Sequence, residues 1–362
     1  MPSNPGSPAE YQPLYGAIQG QQTAIEHLQA MSASKHVPSA LLFLGPHHVG
    51  KRSTALALTQ ALNCPQGPRT ACGICPSCRK VTEGTHPDLI VVKPDGQFVR
   101  IDQIREIAQR LSLMPYEAKK RVVILTRAEA MNPQSANAFL KTLEEPPADT
   151  LLVLCAPSEG QLPDTIVSRC LPVRFQPLPF PIVETLLAAQ AELSAEELSF
   201  CARFAQGCIR PELATKAGPW MILRDEVIQT IGRMDAASFA QVTEKSAKWG
   251  SGEDWKFVLA WLETWFRDLA LLGSSGATSG AGMLGNQALQ HLLVNADRMD
   301  QLMDWGRRFT PELALEGYRL VLATRQSLKL NASKPLAMEA LWLQLRNALN
   351  SGSKVGRATG AA

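Results

Sequence analysis

The chain has 362 residues, of which 45% are hydrophobic and 19% are charged, and its formal net charge is +3. At about 150 residues per domain, this length predicts two or three domains with ample apolar residues for their cores. So small a net charge gives no compositional sign of a nucleic-acid-binding protein, and any DNA contact would be local or shared with partners.

The two ends of the chain are rich in Pro, Gly, Ser and Ala. Residues 1–10 and 350–362 contain little apolar surface, so we expect both to be disordered. No run of residues approaches the ~18 apolar positions of a membrane span, and the first residues lack a basic segment followed by an apolar one. The sequence therefore predicts a cytoplasmic protein that does not contact a membrane.

Short apolar runs alternate with stretches of helical periodicity in the first half of the chain. Continuous apolar strands between helices are typical of a parallel sheet that is covered on both faces. Asp102 is predicted to cap one of the helices, and Asn132 followed by Pro133 to begin another. The strand-like runs are Ala40–Leu44, Leu89–Val92, Val122–Leu125, Leu151–Leu154 and Val173–Phe175.

A Gly-x4-Gly-Lys signature follows the first apolar run, at residues 45–51. In a phosphate-binding loop of this kind, backbone N–H groups surround the phosphates and the lysine neutralises their charge. Gly45, Gly50 and Lys51 are therefore candidate residues for binding ATP or ADP. The alternative interpretation is a glycine-rich turn between a strand and a helix, without a ligand.

The groups that would complete an ATP-hydrolysing site are absent from the sequence. Arg52 stands where a hydroxyl should hold magnesium, and Ser53 is one residue further, about 100° around the helix. Ser53 stays a candidate nucleotide-binding residue but cannot replace that hydroxyl directly. Thr126 and Arg127 occupy the positions expected for an acidic pair after the third run. These replacements predict poor hydrolysis.

Four of the eight cysteines lie close together in the sequence, at Cys64, Cys72, Cys75 and Cys78. Clustered cysteines in a reducing compartment indicate a metal site rather than disulfides, and four thiolates close a tetrahedral zinc site. We therefore expect structural zinc, against the alternative of four free thiols. The other cysteines are scattered and are expected to pack as small hydrophobic residues.

The composition changes after Phe175, at the proline-rich residues 176–181, and the remainder of the chain has helical periodicity. This change predicts a domain boundary near residue 178. A Gly/Ser/Ala segment at residues 273–282 is expected to be a flexible loop within the helical part.

Taken together, the motifs resemble those of the clamp-loader branch of the AAA+ superfamily, over roughly residues 11–348. Besides the loop and the cysteine cluster, the resemblance depends on four segments. They are Lys141–Pro147, Ser168–Cys170, Gly207–Arg210 and Leu330–Glu339.

The resemblance implies an α/β AAA+ P-loop domain at residues 11–177, with a parallel sheet and an inserted zinc knuckle at residues 64–78. A small helical lid domain would follow at residues 178–245. An all-α collar domain would occupy residues 246–349 and hold subunits together in a ring.

The resemblance also assigns roles to two arginines. Arg169, in Ser-Arg-Cys, would be an arginine finger that reaches the ATP site of a neighbouring subunit, and Arg210 would contact nucleotide bound by its own chain. Without the resemblance, both are surface cations, one near the end of a short helix and one before Pro211. Cys155 lies where an active member carries a polar sensor residue.

The resemblance implies a stator-like subunit with little ATPase activity of its own. Its partners would be the gamma/tau motor subunits and the delta subunit of the clamp loader, and through them the sliding clamp and primed DNA. One alternative is an ATP-hydrolysing motor subunit of the same complex. Another is a degenerate AAA+ binding protein that acts in recombination.

Overall fold

The computed structural model describes residues 18–34, 37–67, 71–232, 239–274 and 292–358. The chain forms two compact units, one comprising Met1–Val183 with Gly207–Ile209 and the other Glu184–Gln206 with Arg210–Ala362. The predicted disordered N-terminus and most of the predicted loop at residues 273–282 lie outside the described residues. The three-domain division stays a prediction.

A five-stranded parallel sheet forms the centre of the first unit, with the strand order β2-β3-β4-β1-β5. The parallel sheet predicted from the apolar runs is thereby confirmed. The strands are β1 (Ala40–Leu44), β2 (Leu89–Val92), β3 (Arg121–Leu125), β4 (Thr150–Ala156) and β5 (Leu171–Arg174).

Helices cover both faces of this sheet, which is why its strands are apolar at nearly every position. On β1, Leu42 and Leu44 belong to one buried cluster, whereas Leu41 and Phe43 belong to the cluster on the opposite face. The helices are α1 (Gln22–Ala33), α2 (Lys51–Asn63), α3 (Pro76–Glu83), α4 (Ile101–Leu111), α5 (Pro133–Glu144) and α6 (Asp164–Val167).

The two predicted helix caps have different outcomes. Asn132 caps α5, since its Oδ1 accepts a hydrogen bond of 2.8 Å from the Ser135 N–H. The prediction for Asp102 is wrong, because α4 begins at Ile101 and its cap is Arg100, two residues before Asp102. The Arg100 N–H donates to Oε1 of Gln103 at 3.0 Å. Asp102 instead lies in the first turn, where its charge favours the helix dipole.

The regular structure in the second unit is helical, as the sequence predicts. No strand follows β5 within residues 176–232, 239–274 and 292–358, the ranges that the structure describes there. Its last helix continues to Ala358, so residues 350–358 of the predicted disordered tail are helical and residues 359–362 lie outside the described part. Across the described ranges, no helix is both long enough and apolar enough to span a membrane. The helices are α7 (Phe180–Gln190), which begins in the first unit, α8 (Ala195–Ala205), α9 (Glu212–Thr215), α10 (Ala217–Gly232), α11 (Phe239–Ser251), α12 (Trp255–Ser274), α13 (Met299–Arg308), α14 (Pro311–Lys329) and α15 (Lys334–Ala358).

Aromatic side chains of α12 form the interior of this unit. Trp261 and Trp265 are fully buried, and Trp261 Nε1 donates to Oδ1 of Asn295 at 2.9 Å. Asn295 in turn donates from its backbone N–H and its Nδ2 to Asp268 Oδ2, at 2.8 and 2.9 Å. Burial raises the pKa of Asp268 to about 6 despite these donors. The network attaches residue 295 to the middle of α12.

A buried ion pair organises the loop between α4 and β3. Arg121 lies 3.3 Å from Asp88 and also donates to the backbone oxygens of Arg110, Leu113 and Met114. The Asp88 carboxylate accepts three backbone N–H bonds of 2.9 Å from residues 116–118. Burial alone would raise the pKa of Asp88, but these N–H donors and Arg121 outweigh it and hold the pKa below 3.8.

We predict that Asp88→Asn lowers the free energy of unfolding by about 3 kcal/mol at neutral pH, because it leaves a buried guanidinium without its counter-ion. Urea unfolding measures the loss, and Asp102→Asn, at an exposed carboxylate, is the control with a change below about 0.5 kcal/mol. The difference in the free energy of unfolding between the native and Asp88→Asn chains should have its full value above the unfolded pKa of 3.8. It should disappear as the pH falls through the lower pKa of Asp88 in the folded chain. An equal loss in both variants would contradict this account.

Candidate functional site

The phosphate-loop signature lies at the carboxyl end of β1, between this strand and α2. Gly45 has φ 147°, and a Cβ atom there would lie 2.3 Å from the backbone oxygen of Phe175, so the position requires glycine. Gly50 has φ 98° and caps the amino end of α2. The two glycines therefore give the loop a tight turn against the end of β5.

Lys51 begins α2, and its ammonium group is turned back onto the loop. Its Nζ donates to the backbone oxygens of Gly45 and Pro46, at 2.6 Å for Pro46, and the residue is 7% exposed. Burial lowers the pKa of Lys51, and the nearby Cys155 and Glu129 oppose that shift. The charge that would neutralise a phosphate is therefore held by the loop's own carbonyl groups.

The side chains at the expected magnesium-ligand positions do not provide a magnesium site. Arg52 is a cation beside half-buried Ser53, and Thr126 Oγ1 donates to the Val92 oxygen at 3.0 Å. Arg127 Nε donates to Oε1 of Glu129 at 3.1 Å. These three positions of the chain thus do not offer the free oxygen ligands that magnesium requires.

Cys155 is the penultimate residue of β4 and lies at the predicted sensor position. Its thiol is buried, and burial raises its pKa to about 12, so it is a neutral group next to the loop. Cys170 and Cys201 are buried and Cys208 packs against the core, as expected for small hydrophobic residues.

Residues 207–209 return from α8 to the phosphate loop. The Ile209 N–H donates to the His48 oxygen at 3.1 Å, and the Leu178 N–H donates to the Gly207 oxygen at 2.9 Å. Arg210 follows directly but belongs to the second unit, where its guanidinium lies 5.2 Å from the centre of the Phe204 ring. Its predicted contact with nucleotide stays a prediction.

The four clustered cysteines come together as predicted, with their sulfur atoms all within 4.8 Å of one another. Three backbone N–H groups donate to these sulfurs: Cys72 to Cys64 at 3.4 Å, Cys75 to Cys72 at 3.3 Å and Cys78 to Cys75 at 3.4 Å. Zinc at ~2.3 Å from each sulfur needs sulfur separations of about 3.8 Å, which this group nearly meets. The donor set therefore fits a structural zinc ion.

The environments of two of these thiols differ. Backbone donors from Cys75 and Ile74 lower the pKa of Cys72 to about 6, whereas burial raises the pKa of Cys78 above its ordinary range. The knuckle is attached to α2 through Gln60, whose Nε2 donates to the Cys78 oxygen and to Thr82 Oγ1, both at 2.9 Å.

Arg169 lies just after α6, with its side chain 37% exposed. Its Nη2 is 2.7 Å from Oε1 of Glu144, and its Nη1 donates to the Thr165 oxygen at 2.9 Å. Leu171 pairs with Leu41, so Arg169 precedes the amino end of this strand pair, whereas Gly45 follows its carboxyl end. Along β1, Leu41 and Gly45 alone are about 13 Å apart. Arg169 and the loop of the same chain therefore lie at opposite edges of the sheet.

The carboxylates of Glu144 and Glu129 take part in these contacts but are not among the functional residues predicted from the sequence. Glu144 is part of the Glu-Glu-Pro-Pro stretch at the carboxyl end of α5, where negative charge opposes the helix dipole. That unfavourable placement is a sequence signal for a cationic partner, which the structure provides in Arg169. Glu129 lies in a short turn after β3 and has no comparable signal, since its contacts with the loop depend on strand order.

Part of the chain is similar to subunits of DNA polymerase III. Residues 20–179 match the family model described as DNA polymerase III, delta subunit. The subunit delta' of DNA polymerase III from Bacillus subtilis is 38% identical over 151 residues, 42% of this chain and 46% of that protein. The chain resembles bacterial delta-prime subunits. The resemblance recognised from the sequence motifs is thereby confirmed.

A second delta-prime subunit, from Pseudomonas aeruginosa, is 40% identical over 141 residues, which are 38% of this chain and 42% of that protein. The alignments thus span less than half the length of these delta-prime relatives. A solved gamma subunit-related protein of DNA polymerase III from Thermotoga maritima is 19% identical, with a TM-score of 0.45, and the match covers 90% of this chain and 99% of that one.

We predict that the purified chain contains one zinc ion and that Cys75→Ser loses it, because three thiolates cannot close the tetrahedral site. Metal analysis after dialysis measures zinc per chain, and thermal unfolding should show a lower midpoint for the variant. Cys208→Ser, at a half-buried cysteine outside the cluster, should retain zinc. Zinc retained in full by Cys75→Ser would show that the four cysteines do not form the site.

Proposed function

We propose that this chain is a delta-prime-type subunit of a DNA polymerase III clamp loader, a stator that assembles with gamma/tau motor subunits and a delta subunit. In this role it contributes Arg169 to the ATP site of a neighbouring motor subunit. The complex then loads the sliding clamp onto primed DNA.

The observation that carries the proposal is the position of Arg169. Its exposed guanidinium lies at the edge of the sheet opposite the phosphate loop of its own chain. An arginine there cannot act on nucleotide bound by its own loop, whereas it is accessible to a second subunit. Positive charge placed against the γ-phosphate in the transition state is the means by which such arginines accelerate phosphoryl transfer.

Glu144 supports this role by holding the guanidinium before a partner is present. The pair is partly exposed, with side-chain exposures of 37% for Arg169 and 49% for Glu144, so it costs little to exchange for a phosphate. The donation from Nη2 to Glu144 and that from Nη1 to the Thr165 oxygen also orient the planar guanidinium, a group that can bind a phosphate in a bidentate manner.

The residues around the phosphate loop support the proposal that this subunit does not hydrolyse ATP itself. Arg52, Thr126 and Arg127 replace the groups that would hold magnesium and position water, and buried Cys155 replaces a polar sensor. When bound, ATP or ADP would be held by the backbone of residues 45–50 and by Lys51. These same residues count against a motor subunit, and no observation favours a role in recombination.

We predict that the chain alone hydrolyses no ATP above background and that it increases ATP turnover when added to its organism's motor and delta subunits with clamp and primed DNA. Arg169→Ala should reduce that increase at least about tenfold, because the neighbouring site loses a transition-state cation. Arg174→Ala, at an exposed arginine on β5, is the matched control and should leave the increase unchanged.

Gel filtration of the same mixtures separates assembly from chemistry. The Arg169→Ala chain should still assemble with its partners. Robust ATP turnover by the isolated chain would instead favour a motor subunit. A full increase in turnover with Arg169→Ala would contradict the proposed role of Arg169 as an arginine finger.

A further inference from the structure

Glu129 is a nearly buried carboxylate beside the phosphate loop, and it has no part in the role proposed for Arg169. Its side chain is 10% exposed and lies on the short turn Ala128–Ala130 after β3. Because β4 pairs with both β1 and β3 in parallel, this turn and the loop lie at the same edge of the sheet.

The contacts of Glu129 place its negative charge against the loop itself. Its Oε1 accepts a hydrogen bond from Arg127 and lies 3.7 Å from Nε2 of His47, the third residue of the loop. Its Oε2 is buried and has no hydrogen-bond donor among the residues that the structure describes. A carboxylate oxygen in that state needs positive charge nearby, and Arg127, 3.1 Å from Oε1, and Lys51, which interacts with the carboxylate through its charge, provide it.

We infer that Glu129 acts as an internal counter-ion that keeps the phosphate loop from binding a nucleoside triphosphate. It neutralises the cations that a phosphate would need, and it places a fixed negative charge next to the phosphate position. A triphosphate must therefore either displace this carboxylate or lie beside it in a partly buried site, where repulsion between like charges is strong.

The orientation of Lys51 agrees with this inference. Its Nζ is directed to the oxygens of Gly45 and Pro46, so binding a phosphate would first require breaking these contacts. The inference deepens the proposed function, since it adds a cause for the absence of turnover. It concerns binding rather than hydrolysis, so it can fail while the role of Arg169 holds, and the reverse.

The test is the affinity of the full-length chain for a fluorescent N-methylanthraniloyl ATP analogue, measured by anisotropy with magnesium and again with EDTA. Glu129→Gln keeps the shape and the acceptor for Arg127 but removes the charge, so binding should tighten at least about tenfold in both conditions. Glu106→Gln, at an exposed carboxylate on α4, should bind like the native chain.

Two further variants keep the result interpretable. Lys51→Ala in the Glu129→Gln chain should abolish the gain, which would locate the bound nucleotide at the loop. Glu129→Ala should show the same direction of change if Glu129→Gln folds poorly by circular dichroism. Unchanged affinity in both Glu129 variants would overturn the inference, and so would weaker binding confined to the magnesium condition, since that outcome would make Glu129 a metal ligand.

Discussion

The conformation of the phosphate loop, residues 45–51, depends on the close approach of Gly45 to the backbone of Phe175, at the point where β1 and β5 end together. The space between them cannot hold a Cβ atom, because one at residue 45 would lie 2.3 Å from the Phe175 oxygen. This contact directs the chain from β1 into the turn that precedes Lys51. The geometry of the loop is therefore set by the packing of the sheet.

The carboxyl and amino edges of the sheet in the first unit differ in how their charged side chains are paired. At the carboxyl edge of the sheet, Lys51 donates to carbonyl oxygens of the loop, and Arg127 is paired with Glu129. At the amino edge, Arg169 is exposed, and its guanidinium is held by the partly exposed Glu144 and by the Thr165 oxygen. An exposed arginine at the edge opposite the phosphate loop is suited to the role that we propose, acting on a neighbour's nucleotide.

The sequence predicted those features that follow from local pattern. Ala40–Leu44 matches β1 residue for residue, the cysteine spacing predicted the cluster of sulfurs, and Asn132 capped its helix. Asp102 did not, because the preference of an acidic residue for a helix start holds equally for the first turn. The Asp88–Arg121 pair, Glu129 and Glu144 depend on contacts between residues distant in sequence, and no periodicity encodes them.

The central claim is that Arg169 serves a nucleotide bound by another subunit. The most direct measurement is an electron cryomicroscopy structure of the chain assembled with its motor and delta subunits and a non-hydrolysable ATP analogue. The account predicts that the Arg169 guanidinium leaves Glu144 and lies within about 3 Å of a phosphate oxygen of the neighbour's nucleotide. An Arg169 that stays paired with Glu144, far from any phosphate in the assembled complex, would contradict it.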